Sequence, residues 1–324
     1  MKLHLDKNSF KVLLEHIHNK TGYREDILEK DYYVVLILKE LSKFQTKGLP
    51  AYFKGGTALY KMLKTTNRFS EDIDISVDIR NCSSRTQKDK ILEQATKKYK
   101  ALQRDSSLGI TNKSEIIQVY KYNSLVSFDK DDVLQRFERV KIEATSFTIS
   151  EPVEDLTIEP MIYTLATEEQ KEILKNKFEI FSFVVKTMTI ERIFIDKLFA
   201  AEAYTRNSEK GQKAFEAAKH IYDLVVMFKE PAIVSFIKNA EQMKKLLDIR
   251  MAEELNRLDG IPNVKPKNFK FFKSIKENNN ILKAYELMQK QYIFREEYKI
   301  DFETTARTLL KIENLLLENN SWNI

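Results

Sequence analysis

The chain has 324 residues, 43% of them hydrophobic, and a formal net charge of +6. This length supports one large domain or two intimate ones, and the apolar content supports a sizeable core. The single cysteine, Cys82, excludes an intrachain disulfide, the four histidines form no metal-ligand pattern, and the mild basic excess is compatible with a polyanionic partner without requiring one.

Met1 to Asp6 lacks the long apolar core of a signal peptide, and the apolar run Tyr32–Leu38 is too short to span a bilayer. A cytoplasmic protein with no membrane association is therefore expected. Residues 8–20 read as a helix with Phe10, Leu13, Leu14 and Ile17 on one stripe, ended by Gly22. A second helix is expected over 24–41, with Ile27, Tyr32, Val35, Leu36 and Leu38 inward.

The most informative stretch is 54–78, KGGTALYKMLKTTNRFSEDIDISVD. Ala51, Tyr52 and Phe53 read as the end of a strand, and Thr57 to Leu63 as a short helix. Between them sit Gly55 and Gly56, two of only seven glycines in the chain. Paired glycines in a glycine-poor sequence point to positive φ or close backbone approach. A strand, a glycine turn and a helix N-terminus aim several unpaired N–H groups at one point, which is an anion site. Ile73, Ile75 and Val77 then alternate with Asp72, Asp74 and Ser76. On a strand Asp72 and Asp74 share a face, about 7 Å apart at a rise of about 3.3 Å per residue. Two carboxylates so placed repel each other and call for a divalent cation; oxygen-only donors favour Mg²⁺ or Mn²⁺.

A polar helix is expected over 83–102, where Lys88, Lys90, Lys97, Lys98, Lys100 and Arg104 read as a solvated face. Strands are expected over 115–126 and 139–149; Lys141, Glu143 and Thr145 form the polar face of the second. Pro152 and Pro160 bound an expected loop, and a strand is expected over 178–188. From 189 onward the pattern is helical. Over 189–204, Ile193, Phe194, Lys197, Leu198 and Ala201 share a face, so Lys197 sits within an apolar stripe. A lysine there either meets an anion or snorkels to water. Residues 212–228 form a further helix, with Lys219 and Asp223 spaced as an i,i+4 pair. After Pro231, the segment 263–273 interleaves lysines with phenylalanines, which suits single-stranded RNA or an ordinary loop entering a helix. A last amphipathic helix is expected over 301–317.

A phosphate cradle followed by a paired-aspartate strand is the pattern of the nucleotidyltransferase fold. GGT-x-L-x-K followed by RFS-x-D-I-D resembles the AbiEii/AbiGii toxin family, nucleotidyltransferase-like toxins of bacterial toxin–antitoxin and phage-defence systems, related to the MenT toxins. Glu29-Lys30-Asp31-Tyr32, the Glu191–Leu198 segment with Lys197, and His220-Ile221-Tyr222-Asp223 resemble further motifs of that family, over residues 25–228 in all. Lys219-His220 stands where Arg-Asp is usual, which puts the accessory role of those two positions in doubt.

The resemblance implies an α+β fold: a nucleotidyltransferase-like core with a mixed sheet flanked by helices over 1–188, then a helical C-terminal region over 189–324 completing the cleft. It implies transfer of a nucleoside monophosphate from an NTP, with GTP or CTP as candidates, to RNA, with the tRNA 3′ end as acceptor, and a cognate antitoxin as partner. Asp72 and Asp74 would be catalytic metal ligands, with Glu143 as a third by analogy. Lys54, Gly55, Gly56, Thr57, Lys61, Arg68 and Ser70 would bind nucleotide. Lys197 would neutralise phosphate charge, and Asp223 would orient Lys197 or bind base or ribose. Two rivals stand beside this reading: the same core modifying a protein or small molecule, and an inert nucleotide-binding module.

Overall fold

The computed structural model describes residues 2–65, 67–112, 115–128, 137–257, 260–293 and 295–323. Two units are distinguished: 1–65 with 69–188, and 66–68 with 189–324.

In the first unit, helices α1 (Lys7–Thr21) and α2 (Glu25–Thr46) precede strand β1 (Ala51–Lys54), α3 (Gly55–Met62) and β2 (Ile73–Val77). Then come α4 (Arg85–Lys97), β3 (Gln103–Thr111), β4 (Glu115–Lys121), β5 (Arg139–Thr145), β6 (Val153–Ile158), α5 (Met161–Thr164), α6 (Glu168–Phe178) and β7 (Phe183–Met188). The strands form one seven-stranded sheet in the order β3-β4-β5-β2-β1-β7-β6. It is mixed, since β1–β7 and β2–β5 pair parallel and the other pairs are antiparallel.

The apolar residues of β1 and β2, Ala51, Phe53, Ile73, Ile75 and Val77, are fully buried. Ile142 and Ala144 of the adjoining β5 are equally buried. Their alternation with polar residues leaves one face of the central strands for chemistry. Helix α2 packs along β7, and α4 packs on β4 and β5. Gln45, near the end of α2, donates to the Ala51 carbonyl at 2.6 Å and accepts from the Lys186 amide at 2.8 Å, so a buried amide pins β1 and β7 together.

Two expectations are corrected here. Residues 103–111 form a strand, and the polar helix ends at Lys97. Residues 153–158 also form a strand where a loop was expected. β3 and β6 are the two edges of the sheet. Helix α6, with its Thr167–Gln170 capping box, lies where no element was expected.

The second unit is helical. It comprises α7 (Ile190–Arg206), α8 (Gly211–Met227), α9 (Pro231–Lys238), α10 (Ala240–Glu254), α11 (Phe271–Ser274), α12 (Asn279–Tyr292) and α13 (Phe302–Leu317). α8 contacts α7, α12 and α13, and ten of its residues are buried, which makes it the centre of this unit. Among the described residues, no helix is long and apolar enough to cross a membrane.

Candidate active site

The turn from β1 into α3 depends on Gly55. Its φ is +80°, and a Cβ there would lie 1.9 Å from Asp74 Oδ2. The residue is therefore needed twice: for its left-handed backbone and for the room it leaves a carboxylate. Gly55 opens α3, whose first turn carries no acidic residue of its own; the charge set against this positive helix end is the Asp74 carboxylate of the neighbouring strand. Thr57 donates to the Asp72 carbonyl at 2.6 Å, and its hydroxyl lies 3.0 Å from that of Ser70. The glycine turn, Ser70 and the approach to β2 are thus fastened together.

Strand register places the charged residues in a row. Lys54 pairs with Asp74 across β1 and β2, and Asp74 pairs with Glu143 across β2 and β5. Paired residues share a face, so Glu143 is the sheet neighbour of Asp74. Lys54 donates to Thr145 Oγ1 at 2.8 Å. Two residues earlier along each segment, with Asp72 just ahead of β2, Lys141 Nζ lies 2.9 Å from Asp72 Oδ2 and 2.6 Å from Glu143 Oε1. Burial alone would lower the Lys141 ammonium, but Asp72 and Glu143 outweigh it and hold the pKa above the usual lysine value. The repulsion expected from sequence is between Asp72 and Asp74; this lysine instead offsets the charge of Asp72 and Glu143.

Among the described residues, no three acidic, histidine or cysteine side chains converge closely enough to cage an ion unaided. Mg²⁺ does not need such a cage, because it binds through one or two carboxylates with substrate phosphates and water completing its shell. Asp72 and Asp74, with Glu143 alongside, are hard oxygen donors, and an ammonium already occupies a cation position between two of them. These residues fit a divalent ion in donor chemistry.

In the second unit, Arg68 grips Asp223 through both carboxylate oxygens at 2.7 Å, and Lys197 reaches Oδ2 at 2.6 Å. Asp223 is fully buried, and Lys197 is 5% exposed. Burial would raise the Asp223 carboxyl, but the two cations overcome it and hold it far below the carboxylate range. Lys197 thus meets an anion inside its apolar stripe instead of snorkelling. Lys219 pairs with Glu216, not with Asp223. His220 stacks on Tyr204, its pKa lowered by burial and by the Lys197 charge, and Arg68 supplies the guanidinium that Asp223 meets.

Lys61 donates to Asp31 Oδ1 at 2.6 Å and to the Glu159 carbonyl at 3.1 Å. Asp31 also accepts from the Met161 amide at 2.6 Å. In the same motif, Glu29 accepts from Ser124 and from the Leu125 amide. The Glu-Lys-Asp segment therefore anchors loops within the first unit. Sequence reasoning gave no role to Lys141, although its position two residues before Glu143 on one strand face was the available signal.

The segment 263–273 lines a cleft of about 730 Å³ with Arg206, Lys267, Lys270, Lys273, Glu277 and Glu313 among its walls. Phe271 is buried beside Phe272 and cannot receive a base.

The profile of the family described as nucleotidyl transferase AbiEii toxin, Type IV TA system, matches residues 37–308. The chain belongs to the AbiEii family. An AbiEii protein is a nucleotidyltransferase toxin of a toxin–antitoxin system, so a cognate antitoxin is its counterpart. Two solved structures are similar. One is JHP933 from Helicobacter pylori, with 17% identity and a TM-score of 0.45, covering 91% of this chain and 93% of the other. The other is an H. pylori protein provisionally assigned as a nucleotidyltransferase, with 17% identity and a TM-score of 0.45, covering 91% and 96%. No curated protein matches the chain. Within this AbiEii chain, the GGT motif is the β1–α3 turn and the RFS-x-D-I-D motif leads into β2.

Proposed function

We propose that this AbiEii toxin transfers a nucleoside monophosphate from an NTP to the 3′ end of RNA, with tRNA as acceptor, in a divalent-ion-dependent reaction. The observation that carries the reading is the Asp74–Glu143 row packed against the glycine turn at the N-terminus of α3. One strand face thus offers carboxylates for a cation, and the neighbouring helix end offers N–H groups for phosphate.

The Gly55 and Gly56 amides receive triphosphate oxygens, and Ser70 and Thr57 border them. The acceptor hydroxyl attacks the α-phosphorus, and the bond from that phosphorus to its bridging oxygen breaks. Pyrophosphate leaves with the bonding electrons, and the hydroxyl proton passes to a carboxylate of the row. Asp72 and Asp74, with Glu143 alongside, would hold a divalent ion, which would supply charge stabilisation for the attacking and leaving oxygens. Placement and electrostatics provide most of such catalysis. The Arg68–Asp223–Lys197 cluster keeps a net positive charge, and we assign Lys197 to phosphate charge on that ground. The basic cleft around Lys267, Lys270 and Lys273 is assigned to the acceptor's backbone phosphates.

The test is incubation of the purified protein with tRNA and each labelled NTP in turn, with and without Mg²⁺. Label on lengthened tRNA supports the reading. Label on protein with none on RNA would move the assignment to protein nucleotidylation.

A further inference from the structure

We propose that Lys141 is a built-in counter-cation of the site carboxylates, bound where it must be displaced before a divalent ion can engage Asp72 and Glu143. The inference rests on the metal-site reading above and goes beyond it.

One ammonium bridges two carboxylates that belong to different strands, at 2.9 Å and 2.6 Å. Among the described residues, no other cation touches either carboxylate. The bridge is not sealed in: the side chains of Lys141, Asp72 and Glu143 are 38%, 31% and 28% exposed. A four-carbon stem at this exposure can swing its head into water at little cost. Arg68, by contrast, is gripped through both carboxylate oxygens of the fully buried Asp223 and has no such freedom.

Competition follows from charge and distance. Mg²⁺ binds oxygen at about 2.0–2.1 Å, and an ammonium that close to the same oxygens would face a strong like-charge repulsion. The two cations are alternatives for Asp72 and Glu143. Lys141 keeps the carboxylates together without an ion and raises the threshold for a bare ion to enter. An ion arriving with a triphosphate comes with the triphosphate's negative charge, which the displaced ammonium can meet. Lys141 therefore acts as a positioning residue that ties ion loading to nucleotide arrival.

The experiment measures Mn²⁺ binding by the electron paramagnetic resonance of the free ion, without nucleotide, for wild type, Lys141→Met, Lys141→Arg and Asp72→Asn. Lys141→Met should bind Mn²⁺ roughly three- to tenfold tighter, the range that one or two half-exposed ion pairs can impose. Lys141→Arg should stay near wild type, and Asp72→Asn should bind far more weakly. Saturable binding by wild type with no gain in Lys141→Met overturns the inference and leaves the metal reading standing. No saturable binding by either protein overturns both. A second readout needs no variant at Lys141: its acetylation by an amine-reactive reagent, followed by mass spectrometry, should rise when Mn²⁺ is added. Acetylation of Lys186, whose partner is Asp155 at the sheet edge, should not change. Unchanged Lys141 labelling contradicts displacement.

Discussion

Gly55, Asp74 and Asp223 each carry a consequence that one substitution exposes. Gly55→Ala places a methyl group on Asp74 Oδ2 at a φ of +80°, so transfer should be lost and stability should fall by about 1–3 kcal/mol. Thermal unfolding and nucleotide transfer on one preparation check both. Asp74→Asn is nearly isosteric and should fold normally while abolishing transfer. The same loss is expected of Asp72→Asn, with a slightly lower metal-free melting temperature, because the Lys141 pair goes with it. Either variant working at near wild-type rate would contradict the carboxylate assignment. Asp223→Asn leaves Arg68 and Lys197 buried without their anion and should cost about 3–5 kcal/mol. Lys197→Met keeps the apolar stem and the Arg68–Asp223 pair, so it should cost much less. Comparing their denaturant midpoints tests that order, and transfer by Lys197→Met tests whether the charge itself matters.

At the scale of elements, what the sequence made legible follows burial. The central strands β1, β2 and β5 announce themselves through alternation, because one face is buried and the other carries Asp74, Glu143 and Lys141. The edge strands β3 and β6 do not, because Gln103–Thr111 and Val153–Ile158 are largely exposed and need no apolar period. The glycine turn and the aspartate pair were legible for the same local reason. The Lys141 bridge, and the meeting of Arg68 with Asp223 across 155 positions, depend on pairings that no local pattern encodes. Helix α2 carries a further testable device in Glu29. Burial raises its pKa from 4.5 to about 7, against the opposing bonds from Ser124 and Leu125. Below about pH 4.5 the carboxyl is neutral in both states and costs nothing. As pH climbs to about 7 the unfolded chain ionises first, so stability falls by up to about 3 kcal/mol. Glu29→Gln should gain on wild type by that amount across the same window, as urea unfolding at the two ends would show. At α11 and the segment before it, replacing Lys267, Lys270 and Lys273 together should weaken RNA binding. It should also flatten the salt dependence by about 2 in log–log slope, at about 0.7 per phosphate contact on a single strand. An unchanged slope would remove this cleft from the acceptor path.

For the whole molecule, membership of the AbiEii family and a seven-stranded mixed sheet with a helical second unit define a nucleotidyltransferase toxin. The net charge of +6 is compatible with a polyanionic acceptor, and the proposed function predicts nucleic-acid binding that strengthens as salt falls. The central claim is that the Asp74 row and the Gly55 turn transfer a nucleoside monophosphate to RNA. Its most direct test is a sizing gel of tRNA treated with wild type or Asp74→Asn, Mg²⁺ and each α-labelled NTP. The account predicts labelled, lengthened tRNA with at least one NTP for wild type, and none for Asp74→Asn or without Mg²⁺. Equal labelling by Asp74→Asn, or no labelled RNA with any NTP, would contradict it.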